Sequence, residues 1–337
     1  MALPCFNRIL EYYPHAKITL LTNKPVASKA APLQAVLGEN LFYHKVLTYP
    51  VGTRNPIKLA RLLREIRLLK IDTVINITAL RSPSADKRDK RFFALAGAKT
   101  FIGFDQKIED FKIKIDPSTG EMEWEAKRLT KKLSKLGFMD VQADKYWNLR
   151  LTESEKYRAA EVLGTFHNHP AMLAINAGTK MPIKDWGPDN WLQLLELLQK
   201  KYEHYALVIV GVEEESQFAQ RCLDIWKGAG LNLCGKTNPR VSAAVLAQAK
   251  LFIGHDSGPL HLAACVGVPS VGIFSCINKP RQWFPKGENN KMIFPDHPCD
   301  ESKRDRFKNV ENRMILQILP STVAAAADEI LRNNSAV

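Results

Sequence analysis

Along the chain, short runs of β-branched and other apolar residues alternate with longer segments whose apolar positions recur every three or four residues, so strands alternate with helices. Strands are predicted at 17–22, 45–48, 73–77, 100–102, 172–176, 207–210, 251–253 and 270–274. The segment 57–69 places Leu59, Leu62, Leu63, Ile66 and Leu69 on one helical stripe, and 124–136, 191–201 and 217–227 repeat the period. Gly137 stops the helix at 124–136, Gly228 and Gly230 follow the one at 217–227, and an alanine-rich helix is predicted at 322–331. Such alternation specifies an α/β chain with parallel sheets. At His167-Asn168-His169-Pro170 the helical period ends and a new strand opens, which divides the chain into domains at 1–168 and 169–318 with a closing segment at 319–337.

Composition narrows the class. With 337 residues, 45% hydrophobic and 25% charged, the chain is globular and long enough for about two domains. No window holds the 18 or more apolar residues of a membrane span, and the first residues lack the basic flank and cleavage site of a signal peptide, so insertion and export are both disfavoured. The six cysteines, Cys5, Cys222, Cys234, Cys265, Cys276 and Cys299, show no C-x-x-C pairing and are expected to be reduced, mostly packed thiols. His167 and His169 have no third ligand nearby in sequence and read as linker.

Charge is unevenly spread. Residues 1–150 hold 27 basic against 15 acidic side chains, net +12, while 151–337 hold 21 against 20. Lys58, Arg61, Arg64, Arg67 and Lys70 follow one helical face, a solvated surface or part of a larger field. At 81–91, Lys87, Arg88, Lys90 and Arg91 crowd around Asp89 in a segment without an apolar face, which reads as a polar loop. Such a field attracts nucleic acid, an anionic membrane or a phosphorylated glycolipid. Nucleic acid is disfavoured, because no aromatic platform interleaves the cations.

Three strand-to-helix junctions in the second half carry candidate chemistry, since ligands of doubly wound sheets bind at the carboxyl ends of strands. After 172–176 come Gly178, Thr179, Lys180 and Lys184, then Pro188 and Asp189 at the start of a helix: groups suited to a phosphate, without P-loop spacing. After 207–210 come Gly211, Glu213, Glu214 and Glu215. Glu213 either accepts from both hydroxyls of a ribose or supports a helix macrodipole. After 251–253 come Gly254, His255, Asp256, Ser257, Gly258 and Pro259, an anion site at a helix start with a carboxylate beside it. His261, one turn into that helix, faces either the pocket or the core.

The run Asp256-Ser257-Gly258-Pro259-Leu260-His261-Leu262-Ala263-Ala264, followed by Gly267 and Pro269, resembles the Asp-(Ser/Thr)-Gly-x-x-His-Leu-x-Ala motif of glycosyltransferase family 9, the ADP-heptose:lipopolysaccharide heptosyltransferases. Gly178 through Lys184-Asp185-Trp186-Gly187-Pro188 is similar to the family's glycine turn and Lys-x-Trp-Pro, with one extra residue before the proline. Gly235-Lys236-Thr237 resembles its glycine turn near adenine. Weaker similarity runs through Pro4 to Pro14, Gly97 to Phe104 and Leu136-Gly137, so the resemblance covers about residues 3–331. It implies a GT-B fold, two Rossmann-like doubly wound domains facing across a cleft, with the last helix returning to the first domain. The second domain would bind a nucleotide-sugar: Thr179, Lys180 and Lys184 at the diphosphate, Glu213 at the ribose, Thr237 at the adenine edge, Asp256 at the sugar hydroxyls, and Ser257 and Gly258 at the phosphate. His261 belongs to the motif without an assigned role.

The implied reaction is metal-free, cofactor-free inverting transfer of heptose from ADP-heptose to an acidic lipopolysaccharide core acceptor. Lys184 and Asp256 are the candidate catalytic groups, and Lys87, Arg88, Lys90 and Arg91 the candidate acceptor contacts. The implied location is the cytoplasm, peripheral at the inner face of the membrane. Family members open with a hydrophobic strand, a glycine-rich loop and an aspartate that resembles a general base, and only then reach the helix matching residues 2–13 here. In a 3-2-1-4-5 sheet that strand is central, so without it two neighbours lack backbone partners. The base is therefore expected before Met1, through a start codon read too late or a truncated chain, against the alternative of a genuinely shortened protein. The alternatives are a catalytically silent nucleotide-sugar-binding protein and a related transferase with another donor or acceptor.

Overall fold

The computed structural model describes residues 1–24, 31–79, 82–104, 107–277, 280–295 and 314–335; Arg81, Asp105 and Cys299 lie outside the described residues. The chain forms two compact units, Met1–Trp147 with Pro280–Gln282, and Asn148–Lys279 with Trp283–Val337.

The first unit contains α1 (Leu3–Tyr12), β1 (Thr19–Asn23), α2 (Leu33–Leu37), β2 (Lys45–Tyr49), α3 (Pro56–Leu68), β3 (Thr73–Ile75), α4 (Pro83–Leu95), β4 (Thr100–Ile102) and α5 (Glu125–Lys131). Its strands form two separate parallel ladders, β1 with β2 and β3 with β4. These are the outer pairs of the expected five-strand order. Cys5 and Ile9 of α1 pack with Ile18, Ile75, Ile77 and Ile102, while Leu62 and Ile66 of α3 pack with Leu21, Leu47 and Phe92 and Phe93 of α4, so each ladder has its own helical cover. Residues of a parallel strand alternate in which neighbour they bond. Lys45 N–H donates to Ile18 and Lys24 N–H to Tyr49, so the even-numbered residues of β1 face β2; Thr100 N–H donates to Asp72 and Asn76 N–H to Ile102, so those of β3 face β4. The backbone groups of Thr19, Leu21 and Asn23, and of Thr73, Ile75 and Ile77, meet no backbone partner among the described residues.

The basic segment expected as a loop is helical. Ser82 caps α4 by accepting from Ala85 N–H, Pro83 opens it and Asp86 stands in its first turn. The cap signature outweighs the missing apolar stripe: Phe92 and Phe93 in the last turn, with Ala96 at the cap, join the core beside α3, and Asp86 of the first turn is buried.

The second unit contains α6 (Glu153–Leu163), β5 (Met172–Asn176), α7 (Pro188–Tyr202), β6 (Ala206–Ile209), α8 (Ser216–Trp226), β7 (Gly230–Asn232), α9 (Pro239–Leu246), β8 (Leu251–His255), α10 (Gly258–Cys265), β9 (Ser270–Ile273), β10 (Asn290–Ile293) and α11 (Pro320–Ser335). One parallel sheet runs β10-β9-β8-β5-β6-β7. Its central strands are near-continuous apolar runs because helices cover both faces. The edge strands β7 and β10 escape prediction, the first being three residues opened by a glycine, the second half-exposed and polar at its start.

The break between units lies at Trp147/Asn148, earlier than residue 168. Arg240 of α9, buried, donates to Glu155 of α6 and to the carbonyls of Leu149 and Arg150, which ties α6 to the second unit. α11 packs within the second unit rather than on the first: Val323, Ala326, Ala327 and Ile330 join the core of Leu173, Leu194, Ile253 and Val271, and Asp328 pairs with Lys201 of α7. Cys5, Cys222, Cys234 and Cys265 are free thiols, whereas Cys276 is disulfide-bonded, contrary to the expectation of a wholly reduced set. Among the described residues no helix is long and apolar enough to cross a membrane.

Candidate active site

In the second unit the chain passes from β5 outward to β6 and β7 on one side, and from β8 to β9 and β10 on the other. The carboxyl ends of β5 and β8 therefore flank the switch point where such sheets open a crevice. Asn176 ends β5 and His255 ends β8.

The loop leaving β5 is anchored by Trp186. Its indole is fully buried edge-on against Trp191, its ring N–H donates to the carbonyl of Ile318 at 2.9 Å, and its backbone N–H donates to His255 Nε2 at 3.1 Å. Gly187 follows at φ +88°, a conformation that glycine adopts without strain, and α7 begins at Pro188. Within this held loop a short 3₁₀ turn, Pro182–Lys184, delivers the Lys184 ammonium to Asp256 Oδ2 at 2.5 Å.

Asp256 is almost enclosed, its side chain 7% exposed. Burial by itself would raise its carboxyl, but His261 and the Lys184 ammonium outweigh burial and hold it below the usual carboxylate range. His261 approaches with Nε2 3.8 Å from Asp256 Oδ1, and its Nδ1 has no hydrogen-bond partner among the described residues. Burial lowers His261 against the pull of Asp256. His255 is pushed down to about 4, first by burial. Its neutral ring accepts from Trp186 at Nε2 and so carries its proton on Nδ1, which donates to the Gly178 carbonyl at 3.2 Å.

A second group of contacts joins three elements. Buried Asn176 donates to the Val210 carbonyl at 2.9 Å and to Glu215 Oε2 at 3.3 Å, and its own oxygen accepts from Ser257 Oγ at 3.4 Å. Glu215 also accepts from Val212 N–H at 3.2 Å, and its carboxylate fills the places that side chains at Gly178 and Gly211 would need. Glu213 lies instead against Gly235. Gly258, opening α10, has nothing within 4 Å of where a Cβ would stand, so the approach to the helix start is open.

The structure thus gathers Lys184, Asp256, Ser257, Gly258 and His261 at one strand end. Thr179 is half-buried, its hydroxyl accepting from Met181 N–H at 3.4 Å, and Lys180 is exposed on the same loop. Thr237 hydrogen-bonds Ser242 at 2.7 Å just before α9. Lys87, Arg88, Lys90 and Arg91 lie on α4 of the other unit: Lys87, Arg88 and Arg91 are exposed, Arg88 reaches Asp89 at 2.7 Å, and Lys90 lies 5.6 Å from the ring centre of Phe101. No metal-binding cluster of His, Cys, Asp or Glu occurs among the described residues.

The sequence model of glycosyltransferase family 9 (heptosyltransferase) matches residues 60–311. The chain belongs to glycosyltransferase family 9. This family 9 chain is 26% identical over 172 residues to lipooligosaccharide heptosyltransferase 2 of Campylobacter jejuni, a match spanning 50% of the chain and 53%, about half, of that relative. Its fold is that of the family 9 glycosyltransferase from Veillonella parvula, with a TM-score of 0.70 and 19% identity over 98% of this chain and 93% of that one. The E. coli heptosyltransferase WaaC solved with ADP superposes with a TM-score of 0.59 and 15% identity, over 97% and 94% of the two chains. These likenesses make the fold GT-B. In this candidate site the sequence reading gave no part to Asn176, and it named Glu215 and His255 only as members of their junctions, without the contacts that place Glu215 against Gly178 and Gly211 and make His255 the clamp of the β5 loop. Asn176 alone carried a signal, as a polar residue ending a wholly buried strand.

Proposed function

We propose that this chain moves heptose from ADP-heptose to an acidic lipopolysaccharide core acceptor, with inversion at the anomeric carbon. The observation that carries the reading is the Lys184–Asp256 pair, set at the β5/β8 switch point beside the open start of α10. Lys184, with Thr179, Lys180 and the free N–H groups of α10 at Ser257 and Gly258, meets the donor diphosphate and stabilises the charge that grows on it as the sugar leaves. Asp256, kept ionised, accepts from hydroxyls of the transferred sugar. Glu213 takes the ribose, with Glu215 beside it, and Thr237 meets the adenine edge. Lys87, Arg88, Lys90 and Arg91 receive the phosphorylated acceptor. The reaction needs no metal or further cofactor and takes place at the cytoplasmic face of the inner membrane.

Transfer from ADP-heptose to a lipopolysaccharide core acceptor, followed by chromatography and by the anomeric configuration of the product, tests the reading. Asp256→Ala and Lys184→Ala should each lower the rate by roughly 10²–10³-fold with an unchanged circular dichroism spectrum. An unaltered rate in either variant removes these residues from the site. Calorimetric binding of ADP-heptose without transfer by the unaltered chain would instead make it a nucleotide-sugar-binding protein.

A further inference from the structure

Among the described residues, four helices begin at a side chain that closes the helix start. Asn55 of α3, Ser82 of α4, Thr152 of α6 and Asn238 of α9 each accept from a backbone N–H of the first turn. α10 begins at Ser257, in the same extended backbone as Ser82, with φ −149° and ψ 175° against −162° and 157°. Ser82 accepts from Ala85 N–H, three residues on. The counterpart in α10 is Leu260 N–H, yet the Ser257 hydroxyl makes no such bond. Pro259 has no N–H to offer, so the uncapped donors of the first turn are Gly258 and Leu260, and neither meets an acceptor among the described residues.

The hydroxyl is turned elsewhere, donating to Asn176 Oδ1 at 3.4 Å. Asn176 is 4% exposed, and its amide nitrogen is committed to two oxygens, the Val210 carbonyl at 2.9 Å and Glu215 Oε2 at 3.3 Å. That commitment fixes which way round the amide sits and leaves its oxygen for Ser257. The contact is long and its energy small, but its effect is directional. A serine released from the end of β5 would take Leu260 N–H for itself, as Ser82 takes Ala85 N–H. We propose that Asn176 is a positioning residue of the donor site, holding the Ser257 hydroxyl away from α10 so that the first N–H groups of the helix stay open to the diphosphate. The inference rests on the proposed reading of α10 as the diphosphate site and adds to it a residue that acts through Ser257.

Calorimetric titration of the full chain with inorganic pyrophosphate tests it, because that ligand has no ribose for Glu213 or Glu215 to hold. Asn176→Leu should weaken pyrophosphate binding about fivefold, the worth of one helix cap. The same substitution added to Ser257→Ala should leave binding within about twofold of Ser257→Ala alone, since no hydroxyl remains to close the helix. Amide exchange at Leu260 reads the cap without any ligand, and it should slow about fivefold in Asn176→Leu but not in the double variant. Asn176→Ser, whose shorter side chain does not reach Ser257, makes the same test if the leucine variant does not fold. An equal loss of binding with and without the Ser257 hydroxyl would overturn the inference and move the effect of Asn176 to Glu215 and Val210. An unchanged Leu260 exchange rate in Asn176→Leu would overturn it as well. No binding of pyrophosphate or ADP by the unaltered chain removes the donor reading and the inference together, whereas binding that ignores Asn176 removes the inference alone.

Discussion

His255 shows how one buried side chain sets the geometry of groups that touch a ligand. Its two ring nitrogens hold the Gly178 carbonyl and the Trp186 N–H, the two ends of the loop that carries Lys184. Burial keeps it at about 4 when folded against an ordinary 6.5, so as pH falls the unfolded chain takes up the proton first. Its contribution to stability is complete above pH 6.5, declines as pH falls toward 4, and amounts to about 3 kcal/mol. Urea unfolding between about pH 8 and 4.5 should show this loss, and His255→Gln should lack it whatever its stability at neutral pH. A variant with the same pH slope would mean that the imidazole is not held neutral by its burial. Asp256, Ser257 and Gly258 were legible in sequence because they are contiguous and end a strand. His255 and Glu215 were not, because their roles depend on contacts with residues 77 and 39 positions away.

At the scale of elements, alternation and helical period suffice for buried strands and amphipathic helices and fail where packing is one-sided. α4 was read as a loop because only its last turn is apolar, although Ser82-Pro83 with Asp86 is a helix start written plainly in the sequence. α6 belongs with the second unit through a contact that nothing local signals, Glu155 answering Arg240, 85 residues on. The two ladders of the first unit make a direct prediction. Leu20, Thr22, Val74 and Asn76 spend their N–H groups on a neighbouring strand, whereas Thr19, Leu21, Asn23, Thr73, Ile75 and Ile77 turn theirs to the open edges. Hydrogen exchange resolved by residue should find the first set at least roughly tenfold slower than the second. Equal protection of both sets would mean that the inner edges of β1 and β3 are paired.

Over the whole molecule, charge divides as the proposed labour does. The first 150 residues carry net +12 and the remainder +1, so on the proposed reading the phosphorylated acceptor is drawn by long-range charge and the donor by a few short contacts at the β5/β8 switch point. Short, enclosed pairs such as Lys184–Asp256 are weakly screened, whereas the exposed cations of α4 act through water. Raising salt from about 0.1 M to 1 M shortens the screening length from about 10 Å to about 3 Å, so KM for the acceptor should climb while KM for ADP-heptose stays nearly level. Lys87→Glu, Arg88→Glu and Arg91→Glu combined should raise acceptor KM by roughly tenfold at low salt, leave donor KM within about twofold, and remove most of the salt dependence. Initial rates at varied acceptor, donor and salt decide it. Equal loss for both substrates would show that α4 supports the fold rather than the acceptor. A salt dependence that survives the triple reversal would move acceptor attraction to other cations of the first unit, with α3 the next to test.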